Sequence, residues 1–301
     1  MREITPQLTD ALKKHFRDAV ARADAYPIAR FDELVRTVAE LSYLNRDNLL
    51  FFRGQGEDYR NKAGASSLYP SLYRDTVVSR SRLERQFGLL KELSSILVEE
   101  TRKADRRSAD ELRRKTYVQW SILQHYQVCP TPLLDITQSL RVAASFAQSA
   151  RGSSGGFVYV LGMPYLPNGI SINSEQEIVN VRLLSVCPAL AMRPYFQEGF
   201  LAGTPDITDN YDDKNELDFN RRLVAKFSIP EDEAFWGEDA RRIPEDLLFP
   251  KPEQDPMLEI CSRISAALAQ AEGATLFDEE SAKRGDTSGE SLALRLRRRL
   301  G

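Results

Sequence analysis

Apolar residues recur at helical spacing over Leu8, Ala11, Leu12, Phe16, Val20 and Ala21, which predicts a helix from Thr5 to about Ala23, started by Thr5-Pro6. A second helix is expected over Phe31–Tyr43, with Leu34, Val35, Val38 and Leu41 on one face. Leu49 to Arg53 is an apolar run that ends on a charge and a glycine, the pattern of a strand. The loop Gly54–Ser67 has few apolar anchors and is expected to be mobile or ordered by a ligand. Ser79–Lys103 reads as a long amphipathic helix, with a second one capped by Ser108 and running to about His125. Further strands are expected at Gly156–Leu161, behind the linker Gly152–Gly155, and at Glu177–Val181, Tyr195–Leu201 and Leu223–Ile229. Val181–Leu190, Glu231–Trp236, Pro244–Phe249 and Pro256 to about Glu272 read as helical.

The chain is organised around Gln124-His125-Tyr126-Gln127-Val128-Cys129-Pro130-Thr131-Pro132-Leu133-Leu134-Asp135-Ile136-Thr137. This stretch leaves one helix, crosses two prolines that forbid helix, and enters an Ala-rich helix with Thr137 or Ser139 as its N-cap. The polar side chains of His125, Asp135 and Thr137 therefore gather near a helix mouth. A structural His125–Asp135 tie is the plain reading of the same residues.

The pattern adds up to an α+β fold, with a small mixed central sheet of about five strands flanked by many helices. The apolar and charged fractions, 42% and 28%, are those of a folded protein, and no apolar run approaches the length of a membrane span. Cys129, Cys187 and Cys261 lack metal-ligand spacing and read as free thiols in a reducing, cytoplasmic setting. The formal charge of -3 leaves nucleic-acid binding to local patches, Arg102–Arg107 and the tail at Arg295–Arg299. Residues 1–46 are expected to be a helical extension, 47–250 the main domain, and 251–301 a closing helix and basic tail. The oligomeric state is not legible.

Phe52-Arg53-Gly54-Gln55, Pro70-Ser71-Leu72-Tyr73-Arg74, Gln124-His125-Tyr126, Pro130-Thr131 with Leu133-Leu134-Asp135 and Thr137, Ala143 with Phe146-Ala147, and Gln197 to Phe200 follow one another in an order that resembles the FRG-domain family. The family pattern has a Gly after the His-Tyr pair, an Arg before Leu-Leu and a Trp further on. Here Gln127, Pro132 and Ile136 stand at those places. The resemblance extends, more distantly, to ADP-ribosyltransferases. It implies NAD as a tentative cofactor without a metal, and ADP-ribosyl transfer or NAD hydrolysis, with a protein or nucleic acid as acceptor and a toxin or antiviral-defence role.

The residues themselves suggest a compatible chemistry. An Arg at a strand end followed by Gly presents a bidentate cation where a phosphate can approach the backbone, so Arg53 is the candidate diphosphate clamp. Gln55, Arg74, Tyr69 and Tyr126 are candidates for further nucleotide contacts, the rings by stacking. His125, Asp135, Thr137 and Gln197 are the candidates for chemistry beside Arg53, with Asp135 or Glu177 as the anion that would steady a cationic sugar, since Glu198, next to Gln197 on an expected strand, points to the opposite face. A salt bridge from Arg53 to Asp135 is the competing structural reading. A Cys129 nucleophile finds no nearby cation to support it. Non-catalytic recognition of nucleic acid or protein is the alternative from another class.

Overall fold

The computed structural model describes residues 1–17, 19–74, 79–149, 155–204 and 214–282, with side chains as far as 270. The chain divides into two compact units, a sheet unit of residues 1–78, 132–186 and 193–250, and a helical unit of residues 79–131, 187–192 and 251–301. The fold is mixed α and β. The sheet has eight strands: β1 Tyr26–Pro27, β2 Leu49–Gln55, β3 Leu134–Thr137, β4 Gly155–Met163, β5 Ile170–Asn173, β6 Ile178–Arg182, β7 Gly199–Gly203 and β8 Leu223–Pro230. Their order is β1-β8-β4-β2-β3-β7-β6-β5; β1 runs parallel to β8 and the other neighbours are antiparallel. The sheet is larger than expected because β1, β3 and β5 are too short to show an alternation in sequence.

The helices are α1 Asp10–Phe16, α2 Phe31–Leu44, α3 Arg80–Ala104, α4 Arg106–Leu112, α5 Thr116–His125, α6 Leu140–Ala147, α7 Leu183–Val186, α8 Arg193–Phe196, α9 Glu245–Leu248 and α10 Pro256–Ala282. The first is much shorter than its apolar spacing predicts. Asn45 takes the backbone N–H and carbonyl of Gln7 at 2.8 Å each, which holds that stretch out of the helix, and Thr9 rather than Thr5-Pro6 makes the cap. At the other end Arg17 adopts a left-handed conformation that stops it. In α2, Leu34, Val38 and Leu41 are buried as expected, whereas Val35 is exposed.

In the helical unit, Asp105 rather than Ser108 caps α4. Its carboxylate accepts from the Arg107 and Ser108 N–H groups, and the chain breaks again before α5. The basic cluster at this junction is a solvated face, with Arg102 and Arg106 on Asp110 and Arg107 on Glu111. Val181–Leu190 yields only the single turn of α7. The tail at Arg295–Arg299 and most of the Gly152–Gly155 linker lie outside the described residues. No described helix is long and apolar enough to cross a membrane.

Strand alternation gives the sheet two faces. On one, Phe52, Val158, Val160, Ala225 and Phe227 are buried, and α6 lies directly against the backbone of β2 and β4. This contact needs glycine. A Cβ on Gly54 would stand 1.8 Å from the Ala143 carbonyl oxygen, and one on Gly156 would stand 2.1 Å from that of Ala147. The Ala-rich sequence of α6 is the matching half of the contact.

Candidate functional site

Arg53 lies on the opposite face from Gly54, in register with Tyr159 of β4, which in turn faces Lys226 of β8. Three polar side chains thus form one row across three neighbouring strands. Their partners differ. Lys226 is fully buried and donates to Asp58 Oδ2 at 3.1 Å, to Ser66 Oγ at 2.6 Å and to the Ala21 carbonyl at 3.2 Å. Asp58 also accepts from the Ser66 hydroxyl at 2.5 Å, the Tyr159 hydroxyl at 2.9 Å and Arg60 Nη2 at 3.0 Å. Burial opposes its charge, but these donors hold its carboxyl below the usual range. The loop after β2 therefore lacks apolar anchors yet has polar ones. Arg60 adds bonds to the carbonyls of Arg22, Ala23 and Gly64 and an ion pair to Asp24.

Among the described residues Arg53 has only neutral partners. Its Nη1 donates to the Asp135 backbone carbonyl at 2.7 Å and its Nε to Gln55 Oε1 at 3.0 Å. The expected salt bridge to Asp135 is replaced by this carbonyl contact. Thr137 stands opposite Phe52, so alternation turns the Asp135 side chain to the face away from Arg53. Burial pulls the Arg53 pKa down, Asp135 opposes that, and the neighbouring Arg74 adds to it. Arg74 is exposed and donates through Nε to the Tyr69 carbonyl at 3.2 Å. Among the described residues neither guanidinium forms an ion pair.

Neutral partners alone do not mark a binding site. Arg222 is equally without a carboxylate, and burial lowers its pKa to about 10. All three of its nitrogens are occupied, by the Gly162 and Arg2 carbonyls, Asn48 Oδ1 and Gln176 Oε1, and it is wholly buried. It is a structural tie. Arg53 differs in being half-buried, in leaving Nη2 without a partner among the described residues, and in having a second arginine beside it.

Other predicted site residues serve the fold. Gln197 does not lie on a strand: Pro194 sits in the first turn of α8, Glu198 takes a positive φ of 43°, and β7 starts only at Gly199. The Gln197 side chain is buried and donates to the Leu248 carbonyl at 2.7 Å. Thr137 donates to the Glu198 carbonyl at 3.0 Å and accepts from the Ser139 N–H, while Ser139 makes the cap of α6. Glu177 pairs with the Met1 amino group at 2.8 Å. Tyr69 is buried; its hydroxyl reaches Asn215 at 3.3 Å and the Lys214 ammonium stands 4.4 Å from its ring centroid.

His125 and Tyr126 belong to the helical unit, at the end of α5. The Tyr126 hydroxyl donates to the buried carboxylate of Asp255 at 2.8 Å, an anchor between α5 and the start of α10. Burial pushes the Cys129 thiol up to about 12, which favours its protonated form.

Residues 48–154 match the FRG domain. The matched span runs from β2 through α6, and so includes Arg53, the Gly54 contact and the helices between them. The Phe-Arg-Gly tripeptide acquires a physical reading in this setting: Phe52 in the core, Arg53 on the polar face, Gly54 beneath α6. No curated protein and no solved structure matches the chain.

Proposed function

We propose that the FRG domain binds the diphosphate of a nucleotide such as NAD, through Arg53 and Arg74. The observation that carries this reading is the pair of neighbouring guanidiniums without an ion pair among the described residues. The charge of Arg74 adds to the burial that disfavours the ionised Arg53, so an anion beside Arg53 relieves that cost. A diphosphate suits the planar donor fork of arginine better than a point charge does.

Binding without turnover is favoured over ADP-ribosyl transfer or NAD hydrolysis by a separate observation. Thr137 and Gln197, the residues expected to act on the ribose, are spent on backbone carbonyls. A carboxylate would have to meet the developing sugar cation, and the Asp135 side chain is turned to the other face. This leaves a recognition module whose ligand is a nucleotide.

The test is calorimetric titration of NAD into wild type, with free nicotinamide followed in the same samples. Binding without nicotinamide release is the expected result. Release above the spontaneous rate, lost in Arg53→Ala, would restore the enzyme reading; absence of binding would overturn both.

A further inference from the structure

The face that carries Arg53 extends across the sheet to two more polar residues. Phe51 of β2 and Phe200 of β7 meet edge to face with ring centroids 5.0 Å apart, so they share a face. Arg53 lies two residues beyond Phe51 and Ala202 two beyond Phe200, which keeps both on that face. Asn180 of β6 stands opposite Ala202, and Thr204 follows it one residue past the end of β7. Asn180 is 1% exposed and Thr204 is 7% exposed. Among the described residues, neither Nδ2 nor Oδ1 of Asn180, nor Oγ1 of Thr204, has a hydrogen-bond partner.

Packing does not call for such residues. Asn180 lies between Val179 and Val181 in a fully buried stretch of β6, where an aliphatic side chain fills the same space without stranding a donor and an acceptor. Buried polar groups in folded proteins are nearly always paired, and an exception needs its own explanation.

We propose that Asn180 and Thr204 form a second part of the Arg53 ligand site, which reads a carboxamide or an equivalent edge with one donor and one acceptor. An amide presents both roles at one point, as such a group requires, and the hydroxyl adds either role beside it. Asn180 and β2 are separated by three strand spacings, about 14 Å at about 4.8 Å each. A ligand held at Arg53 by its diphosphate reaches Asn180 only if it extends across the sheet, as a dinucleotide does. The inference rests on the nucleotide reading above and narrows it to a dinucleotide with an amide end.

Calorimetry with three probes separates the two claims: NAD, its analogue with a carboxylate in place of the carboxamide, and ADP-ribose, which lacks that end. Wild type is expected to bind NAD at least about tenfold more tightly than either of the others, since a site built for hydrogen bonds rejects a ligand that leaves them unmade. Asn180→Leu and, separately, Thr204→Val are expected to reduce that preference while ADP-ribose binding stays the same. The melting temperature of ligand-free Asn180→Leu is expected to hold or rise, because an orphaned amide is removed. Equal affinity of wild type for the three probes would overturn the amide site and leave the diphosphate site standing. A lower melting temperature in Asn180→Leu with the preference for NAD intact would show that the amide serves the fold, and would also overturn it. Failure of all three probes to bind would overturn the diphosphate reading first.

Discussion

The two faces of the sheet solve opposite problems. Beneath α6 the strands β2, β4 and β8 present apolar side chains and two glycines. The other face carries Arg53, Tyr159, Lys226, Asn180 and Thr204, and it is finished unevenly. Around Lys226 the charges and hydroxyls close on one another; around Arg53 and Asn180, among the described residues, they do not. The same kind of residue therefore means different things a few ångströms apart. A buried cation with its carboxylate in place is part of the fold, whereas the half-buried Arg53, without a carboxylate partner among the described residues, is where we propose that an anion binds.

The contrast can be broken by substitutions with graded effects. The largest is expected from Asp58→Ala, which strands the buried Lys226 ammonium and should cost about 3–5 kcal/mol in chemical denaturation. Lys226→Met with Asp58→Leu should recover part of that loss, because the pair is replaced rather than halved. Gly54→Ala comes next. It drives a methyl into the α6 backbone and should cost about 3 kcal/mol, with α6 displaced in a crystal structure of the variant. Unchanged stability would mean that α6 does not sit where the glycines place it.

A third effect is pH-dependent. Asp218 caps the turn before β8 and accepts from the Leu68 N–H at 2.8 Å, which steadies the start of the segment leading to Arg74. Burial raises its pKa to about 6, so the folded state prefers the neutral carboxyl. The sign follows: its contribution to stability grows as pH falls from above 6 toward 4, by on the order of 3 kcal/mol, and vanishes in Asp218→Asn. Asp58 acts in the other direction. Its pKa is lowered, so its contribution is present above about 4 and fades as pH falls through its folded value. Unfolding followed from pH 7 to 3 in wild type and Asp218→Asn checks both. The smallest stability change is expected from Arg53→Ala, about 1 kcal/mol, because the side chain is not fully buried and gives up neutral hydrogen bonds rather than an ion pair. A loss as large as that of Asp58→Ala would make Arg53 a structural residue.

How much of this was legible in the sequence depends on the residue. Strands β2, β4 and β8 were readable because each is a long apolar run, and Arg53 because a charge and a glycine close such a run. The segment before Phe200 was misread as strand. Its aromatic residues fit a strand pattern, but Pro194 favours a helical first turn and Glu198 takes the positive φ that turns the chain into β7. Gln197 and Thr137 looked chemical because polar side chains at element ends are often functional. Their bonds to the Leu248 and Glu198 carbonyls arise only once the chain is folded. Asn180 and Lys226 carried a signal that went unread: each is a polar residue within an apolar strand, Ile178-Val179-Asn180-Val181 and Val224-Ala225-Lys226-Phe227. The sequence cannot say which of the two finds its partners, since these come from residues 160 and more positions away in the case of Lys226.

The most direct test of the central claim is titration of ADP-ribose into wild type, Arg53→Ala, Arg74→Ala and the double variant at one fixed salt concentration. The account predicts measurable binding by wild type, a loss of about tenfold or more in each single variant, and no detectable binding by the double. Wild-type binding that survives both substitutions, or no binding at all by folded wild type, would contradict it.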